Sequence, residues 1–258
     1  EQATILAGGT DLGLKFHNRE LVPGALVYVG HLGLDYIKEE GDTLVIAAAA
    51  TIEDIATSSL VGDKAPIVAQ AAREHSSPPI RNAATIGGNV ANASPAADMA
   101  TPLLVLDAEL VLASQGGERV VPVGEFFTGP HETVRAPDEL MTEVRIPAVD
   151  GQAAFIKLGR RKAHTLSVAN AAARVVMDDA KCVDVRIAAG AVGPTPIRCL
   201  KAEEMLRGED LTAELIAEAA SEAVGECDPV DDERATAWYR RRVIKVLIER
   251  ALKQASGL

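Results

Sequence analysis

Two glycine pairs constrain this chain more than any other feature: Leu6-Ala7-Gly8-Gly9-Thr10-Asp11-Leu12, and Thr85-Ile86-Gly87-Gly88-Asn89 running on to Ser94-Pro95-Ala96-Ala97-Asp98. Each follows or interrupts an apolar stretch. Glycine has no Cβ and enters conformations closed to other residues, so the main chain can turn tightly there and approach a bulky group. Concave runs of backbone N–H groups bind phosphate without a lysine. Either cluster alone reads as a tight turn. Two of them in one acidic chain point to a long diphosphate ligand held from two sides. Neither has the GxGxxG spacing of a dinucleotide βαβ unit, and neither is followed by the Gly-Lys-Ser/Thr of a P-loop.

Composition removes several classes of function. Over 258 residues, 26 Lys and Arg are outnumbered by 37 Asp and Glu, a net charge of −11. Nucleic-acid binding rests on neutralising phosphates with basic patches, so no nucleic-acid partner is expected. No polybasic segment is present for an anionic membrane surface. No apolar run approaches the ~20 residues of a spanning helix, so no membrane insertion is expected. Cys182, Cys199 and Cys227 are dispersed and form no CxxC pair. That argues against a disulfide framework, a structural zinc or an iron–sulfur site, and for a reducing, cytoplasmic setting. His17, His31, His75, His131 and His164 show no HxxxH or HExxH spacing, so no metal is assigned. Aromatics are only 3% of the chain, so its cores must be aliphatic. The chain opens at Glu1 without Met and enters an apolar strand almost at once. Either residues upstream are missing or the start is processed, and no signal peptide is visible.

Hydropathy patterning gives a mixed architecture. Ala3–Ala7 reads as a strand, followed by the first glycine turn, a short helical piece and a strand at Leu26–Val29. Thr43–Ala48 is a further strand, and Thr51 with Asp54 predicts a capping box opening a helix. Pro66 heads another helix, which ends before Ser76-Ser77-Pro78-Pro79. Glu109–Ala113, a Gln115-Gly116-Gly117 hairpin turn and Val120–Val123 come later, with an edge-bounded strand at Glu143–Pro147. A boundary falls near Ala148–Gly151. Beyond it Ala154–Lys157, Val168–Met177 and Val183–Ala191 form three strands, the last two joined by Asp178-Asp179-Ala180-Lys181. The rest is helical and ends in a long helix from about Asp232. The expected fold class is α+β in three parts, at 1–28, 29–150 and 151–258. The last part is a three-stranded antiparallel sheet with helices.

The glycine clusters sit in a longer pattern. Ile80-Arg81-Asn82-Ala83-Ala84 leads into the second cluster. Glu125-Phe126-Phe127-Thr128-Gly129-Pro130, Phe155-Ile156-Lys157 with Gly159-Arg160-Arg161-Lys162-Ala163, and Gly190-Ala191-Val192-Gly193-Pro194-Thr195-Pro196 follow in order. In this pattern the chain resembles the FAD-binding (medium) subunit of molybdenum hydroxylases, as in xanthine dehydrogenase and aerobic carbon monoxide dehydrogenase. The resemblance covers essentially the whole chain. It implies a two-part FAD-binding fold: a small α/β piece carries the first loop and a larger α+β domain carries the second. The C-terminal sheet-plus-helix domain follows. FAD would lie extended between the first two parts, its pyrophosphate held by backbone groups of both loops. Family members carry a strand and helix ahead of the first loop, so the first part is expected to be incomplete here.

The resemblance also implies site residues. Leu6, Ala7, Gly8, Gly9, Thr10, Asp11 and Leu12 form the first cofactor-binding loop; Ile80, Thr85, Ile86, Gly87, Gly88 and Asn89 form the second. Thr10 and Asn89 add side-chain donors beside the phosphates, or merely cap turns. Asp98 matches an aspartate near the flavin, or caps the helix that follows. Met141 stands where a Leu meets the flavin ring through backbone or side chain. Lys157 matches a lysine near the ring, where a cation favours the anionic reduced flavin; a solvated strand-end lysine is the alternative. His75 falls where a side chain faces the flavin, or is plain polar surface. Arg160, Arg161 and Lys162 border the flavin on the acceptor side, or form an exposed basic turn. Thr165 replaces the usual Asp there, which puts any acidic contribution to acceptor binding in doubt. Trp238-Tyr239-Arg240-Arg241-Arg242 reads as packing plus subunit contact. No residue is assigned as catalytic, because the cofactor supplies the chemistry.

The expectation is an FAD-carrying electron-transfer subunit of a heteromeric complex. A molybdenum-cofactor subunit oxidises the substrate, an iron–sulfur subunit relays electrons, and they leave through this chain to NAD or another acceptor. Two alternatives stay open. One is a stand-alone FAD-dependent oxidase, disfavoured because the chain lacks a separate substrate-cap domain. The other is an assembly module that kept the fold and lost the flavin.

Overall fold

The structure, a computed structural model, describes residues 3–161 and 164–258. Lys162 and Ala163 of the basic loop lie outside the described residues. Strand β1 (Ala3–Leu6), helix α1 (Leu12–His17) and strand β2 (Ala25–Tyr28) form a βαβ unit with parallel strands, Leu6 opposite Tyr28. Leu14, Leu26, Val27 and Tyr28 stay exposed on it. Gly8 seats this unit on the rest of the chain. A Cβ there would lie 1.7 Å from the carbonyl oxygen of Ala83, so only glycine lets the two backbones touch.

Strands β3 (Ile37–Glu40) and β4 (Thr43–Ala47) make a hairpin. A run of short helices follows: α2 (Ile52–Thr57), α3 (Ser59–Lys64), α4 (Pro66–Glu74), α5 (Pro78–Arg81), α6 (Ile86–Ala91) and α7 (Ala100–Val105). The predicted capping box opens α2: Thr51 Oγ1 accepts from Asp54 N, and the Asp54 carboxylate accepts from Thr51 N. Pro66 starts α4 as expected. Then come β5 (Glu109–Ser114), β6 (Gly117–Pro122), α8 (Val123–Phe126), β7 (Phe127–Gly129), β8 (Glu132–Thr133) and β9 (Leu140–Pro147). A five-stranded antiparallel sheet results, ordered β3-β4-β9-β5-β6. Its central strand is β9, not an edge as Pro147 had implied. The proline is the last residue of the strand, where a missing N–H interrupts little of the ladder. Helices and sheet share a core that includes Ile46, Ile52, Ile55, Ile86, Leu103 and Leu110.

The C-terminal sheet is antiparallel and has four strands: β10 (Gln152–Gly159), β11 (Ser167–Asp178), β12 (Lys181–Gly190) and β13 (Ile197–Arg198). Three were expected. The fourth has only two residues, too short to carry an alternating pattern. Helices α9 (Leu200–Leu206), α10 (Ala213–Gly225) and α11 (Ala237–Ser256) complete this part. The last helix starts later than Asp232 because Thr236 caps it, accepting from Tyr239 N, while Asp232 pairs with Arg234 and Arg240. Alternation along β11 divides its side chains between two cores. Ala169, Ala171, Ala173 and Val175 pack with residues of α10 and α11, whereas Ala172 joins Phe155 and Ala188 in the core of the preceding part.

That second face also carries polar groups that clamp the sheet onto α7. Arg174 Nε donates to Val105 O at 3.0 Å and pairs with Asp184, while Arg198 donates to Leu104 O and pairs with Asp107 and Glu203. Cations at a helix C-terminus satisfy its last carbonyls and complement its dipole. Among the described residues no helix is long and apolar enough to cross a membrane.

Candidate functional site

Between the end of β1 and the start of α1 the chain turns through Gly9 at φ +67°. The N–H groups of Gly8, Gly9, Thr10, Asp11 and Leu12 have no acceptor among the described residues. A consecutive set of unsatisfied donors is a nest that anions fill. Asp11 would set a like charge beside a phosphate, but its carboxylate pairs with Lys15 at 3.0 Å. Leu6 and Ala7, half-buried, lead into this turn.

The second glycine cluster departs from the expected loop. It is the first turn of α6, and its N–H groups already have acceptors. Ile86 donates to Ala50 O at 3.1 Å, Gly87 to Ala48 O at 2.8 Å, Gly88 to Thr85 Oγ1 at 3.0 Å and Asn89 to Thr85 O at 2.9 Å. No second nest of free donors exists here. A glycine turn and a Thr-capped helix start containing glycine look alike in sequence. The glycines have separate physical reasons. A Cβ on Gly87 would come 2.7 Å from Ala48, so Gly87 seats α6 on the end of β4. Gly88 is exposed and leaves bare backbone facing outward. Asn89 Oδ1 accepts from Met99 N at 3.4 Å, which leaves its Nδ2 as a donor without a described partner.

Next to Met99 begins a buried charge cluster. Asp98 does not cap α7; the N-cap is Met99, and no side chain caps there. Instead Asp98 Oδ2 meets Lys157 Nζ at 2.7 Å and His75 Nδ1 at 3.1 Å, and Oδ1 accepts from Ser167 Oγ at 2.6 Å. Burial pushes the Asp98 carboxyl up, but the hydrogen bond from His75 and the charge of Lys157 outweigh it and hold it below its ordinary value. Lys157 is no solvated strand-end lysine. Alternation puts it on the same face of β10 as buried Phe155, and its Nζ also donates to Glu74 O at the end of α4. The anion that draws it inward is Asp98, with no ligand required. His75 sits at the same carboxylate and is not plain surface.

The remaining candidates are placed differently. Ile80 lies in α5 against the main core. The Met141 side chain is buried in that core, opposite Leu112 beside a β-bulge, so only its backbone is left for a ligand. Arg160 and Arg161 are exposed and donate to Glu233 O and His164 O. Thr165 Oγ1 accepts from Arg160 N, a structural use within the turn.

Residue-by-residue reading missed three groups. Asn170 Nδ2 donates to Ser167 Oγ at 3.2 Å, and its Oδ1 accepts from Thr101 Oγ1 at 2.8 Å; all three residues are fully buried. A signal existed. Asn170 interrupts an alanine-rich strand, and a buried polar group there demands partners.

These pieces make one continuous strip. Gly8 rests on Ala83, the α6 start follows, Asn89 reaches Met99, and Asp98 holds His75 and Lys157. One end suits a diphosphate; the other carries a held cation suited to a redox-active ring. The residues therefore fit an extended flavin dinucleotide. Among the described residues no group of three or more His, Cys, Asp or Glu is placed to hold a metal.

Comparison with known proteins points to the same cofactor. Residues 1–149 match the family described as FAD binding domain in molybdopterin dehydrogenase, and residues 154–255 match the CO dehydrogenase flavoprotein C-terminal domain. The glyceraldehyde dehydrogenase medium chain of Sulfolobus acidocaldarius is 32% identical over 252 residues, spanning 97% of this chain and 90% of that one. The carbon monoxide dehydrogenase medium chain of Hydrogenophaga pseudoflava is 34% identical over 258 residues, 98% of this chain and 89% of its own length. Among solved structures, carbon monoxide dehydrogenase from Hydrogenophaga pseudoflava lacking the Mo-pyranopterin moiety holds a chain with TM-score 0.97 and 32% identity. The match covers 100% of this chain and 90% of that one. The chain thus belongs to the family of FAD-binding flavoprotein subunits of molybdopterin dehydrogenases.

Proposed function

We propose that this chain is the FAD-carrying electron-transfer subunit of a molybdenum hydroxylase complex. It receives electrons from the iron–sulfur clusters of one partner subunit, after a molybdenum-cofactor subunit has oxidised the substrate. It delivers them to NAD or another acceptor. The observation that carries this reading is the strip from the free N–H groups of Gly8–Leu12 to the buried Lys157–Asp98 pair. Bound FAD would supply the redox chemistry itself. The chain's own residues bind and tune it. The first loop holds the diphosphate, Gly88 lets it pass close to α6, and Asn89 donates from its amide. Asp98, Glu74 O and His75 fix where the Lys157 charge sits beside the ring.

Relatives named as medium chains and as a subunit of a dehydrogenase complex support partner subunits. The free, buried thiols of Cys182, Cys199 and Cys227 support a cytoplasmic setting. We further read the chain as three parts, 1–28, 29–150 and 151–258, with the first two forming the FAD site. Purification from the native source with mass spectrometry tests the assignment. Partner subunits bearing molybdenum and iron–sulfur centres are expected, with flavin bleaching when substrate is added. A chain that purifies alone and oxidises a substrate unaided would favour the oxidase reading and end this one.

A further inference from the structure

We infer that Ser167 is a positioning residue of the flavin site, the last member of a one-way hydrogen-bond relay that fixes Asp98 and, through it, the Lys157 ammonium. The inference rests on the placement of the flavin beside Lys157 proposed above.

The direction of the relay follows from chemistry alone. An ionised carboxylate only accepts hydrogen bonds, so the Ser167 hydroxyl must donate to Asp98 Oδ1, at 2.6 Å. Its oxygen is then free to accept, and the Asn170 group 3.2 Å away must be the amide nitrogen. That leaves Asn170 Oδ1 toward Thr101, whose hydroxyl must donate to it at 2.8 Å. Each hydroxyl and amide is assigned once, and every donor points toward the carboxylate. Donor chains of this kind reinforce one another in a dry interior, and Thr101, Ser167 and Asn170 are all 0% exposed.

The fold makes room for the relay. Asn170 lies opposite Gly190 in the β11–β12 register. A Cβ on Gly190 would stand 2.5 Å from Asn170 Oδ1 and 2.9 Å from Nδ2. The amide therefore occupies space that only glycine leaves. The relay also joins two halves of the molecule: Asp98 and Thr101 flank the start of α7, while Ser167 and Asn170 lie on β11.

With Ser167 on Oδ1, the Asp98 carboxylate presents Oδ2 to Lys157 and His75. Without it, the Asp98 charge is dispersed over fewer donors and bears more fully on Lys157. The net positive field beside the ring weakens, and reduction of the flavin becomes less favourable. Ser167 thus acts on the cofactor without touching it.

The test compares purified holoprotein with Ser167→Ala, Thr101→Val and Lys157→Met by potentiometric titration, with released FAD counted for each. Ser167→Ala should keep its FAD and shift the equilibrium toward the oxidised form by roughly threefold to tenfold, tenfold being about 30 mV in a two-electron couple. Thr101→Val should shift it the same way by less. If Lys157→Met lowers the potential while Ser167→Ala and Thr101→Val leave it unchanged, the flavin placement stands and the relay is overturned. If none of the three moves it, placement and relay fall together. Should Ser167→Ala lose its FAD, Thr101→Val decides: a lowered potential supports the relay, an unchanged one overturns it.

Discussion

Lys157 Nζ lies 2.7 Å from Asp98 Oδ2, with the lysine side chain 5% and the aspartate 3% exposed. One partner comes from the segment before α7 and the other from the first strand of the C-terminal sheet, so the pair ties two sheets' worth of structure to one point. A buried pair adds little net stability over an apolar replacement, yet losing one member leaves an uncompensated charge.

A double-mutant cycle measures this. Lys157→Met should destabilise the apoprotein by about 3 kcal/mol, and Asp98→Asn by a similar amount. The double variant should lose clearly less than the sum, by at least ~1 kcal/mol, in urea denaturation. Additive losses would show that the two groups do not act as a pair.

Charge at the site predicts opposite shifts of flavin potential. Lys157→Met removes the cation and should lower the potential, by about 30 mV for each ~1.4 kcal/mol of lost stabilisation. Asp98→Asn leaves Lys157 unneutralised and should raise it. Shifts of the same sign in both variants would contradict the electrostatic account.

The depressed Asp98 carboxyl also sets a pH dependence. An unfolded aspartate titrates near pH 3.9. A carboxyl held below that value in the fold stabilises the protein above it, and this contribution is lost as pH falls toward the folded value. The stability gap between wild type and Asp98→Asn should therefore narrow between about pH 6 and about pH 3. A gap that stays constant in urea denaturation across that range would refute the assignment.

The glycines separate packing from ligand contact. Gly8→Ala drives a Cβ into the Ala83 carbonyl, so it should dislodge the βαβ unit and reduce FAD affinity at least ~10-fold. Gly88→Ala meets only the Thr85 hydroxyl, at 3.0 Å, and lies within a helix. The gain in helix propensity should be offset by crowding of the Thr85 cap, leaving apoprotein stability within ~1 kcal/mol of wild type, while FAD binding weakens. Fluorescence titration with FAD and thermal melts check both variants. Unchanged FAD affinity in Gly88→Ala would remove α6 from the ligand's path.

Much of this was legible in the chain. Thr51 with Asp54 marked the start of α2, Pro66 that of α4, and the Asp178–Lys181 turn fixed an antiparallel pair, because capping and turn chemistry are local. Local signals do not report on tertiary partners. Pro147 looked like an edge mark although β9 is central, and Thr85-Ile86-Gly87-Gly88 looked like an open loop although its N–H groups find Ala48 and Ala50 across the fold. The partner of Lys157 was hidden for the same reason: nothing in Phe155-Ile156-Lys157 names Asp98. Ser167, Asn170 and Thr101 became a group only when α7 packed on β11.

In the proposed site an FAD lies extended, bound without a covalent link, from the nest at Gly8–Leu12 to the Lys157–Asp98 pair. Denaturing the FAD-reconstituted protein and identifying the released flavin by chromatography tests this most directly. A single equivalent of FAD per chain is expected, all of it free in solution. FMN in its place, flavin still attached to the denatured chain, or no flavin at all would contradict this site.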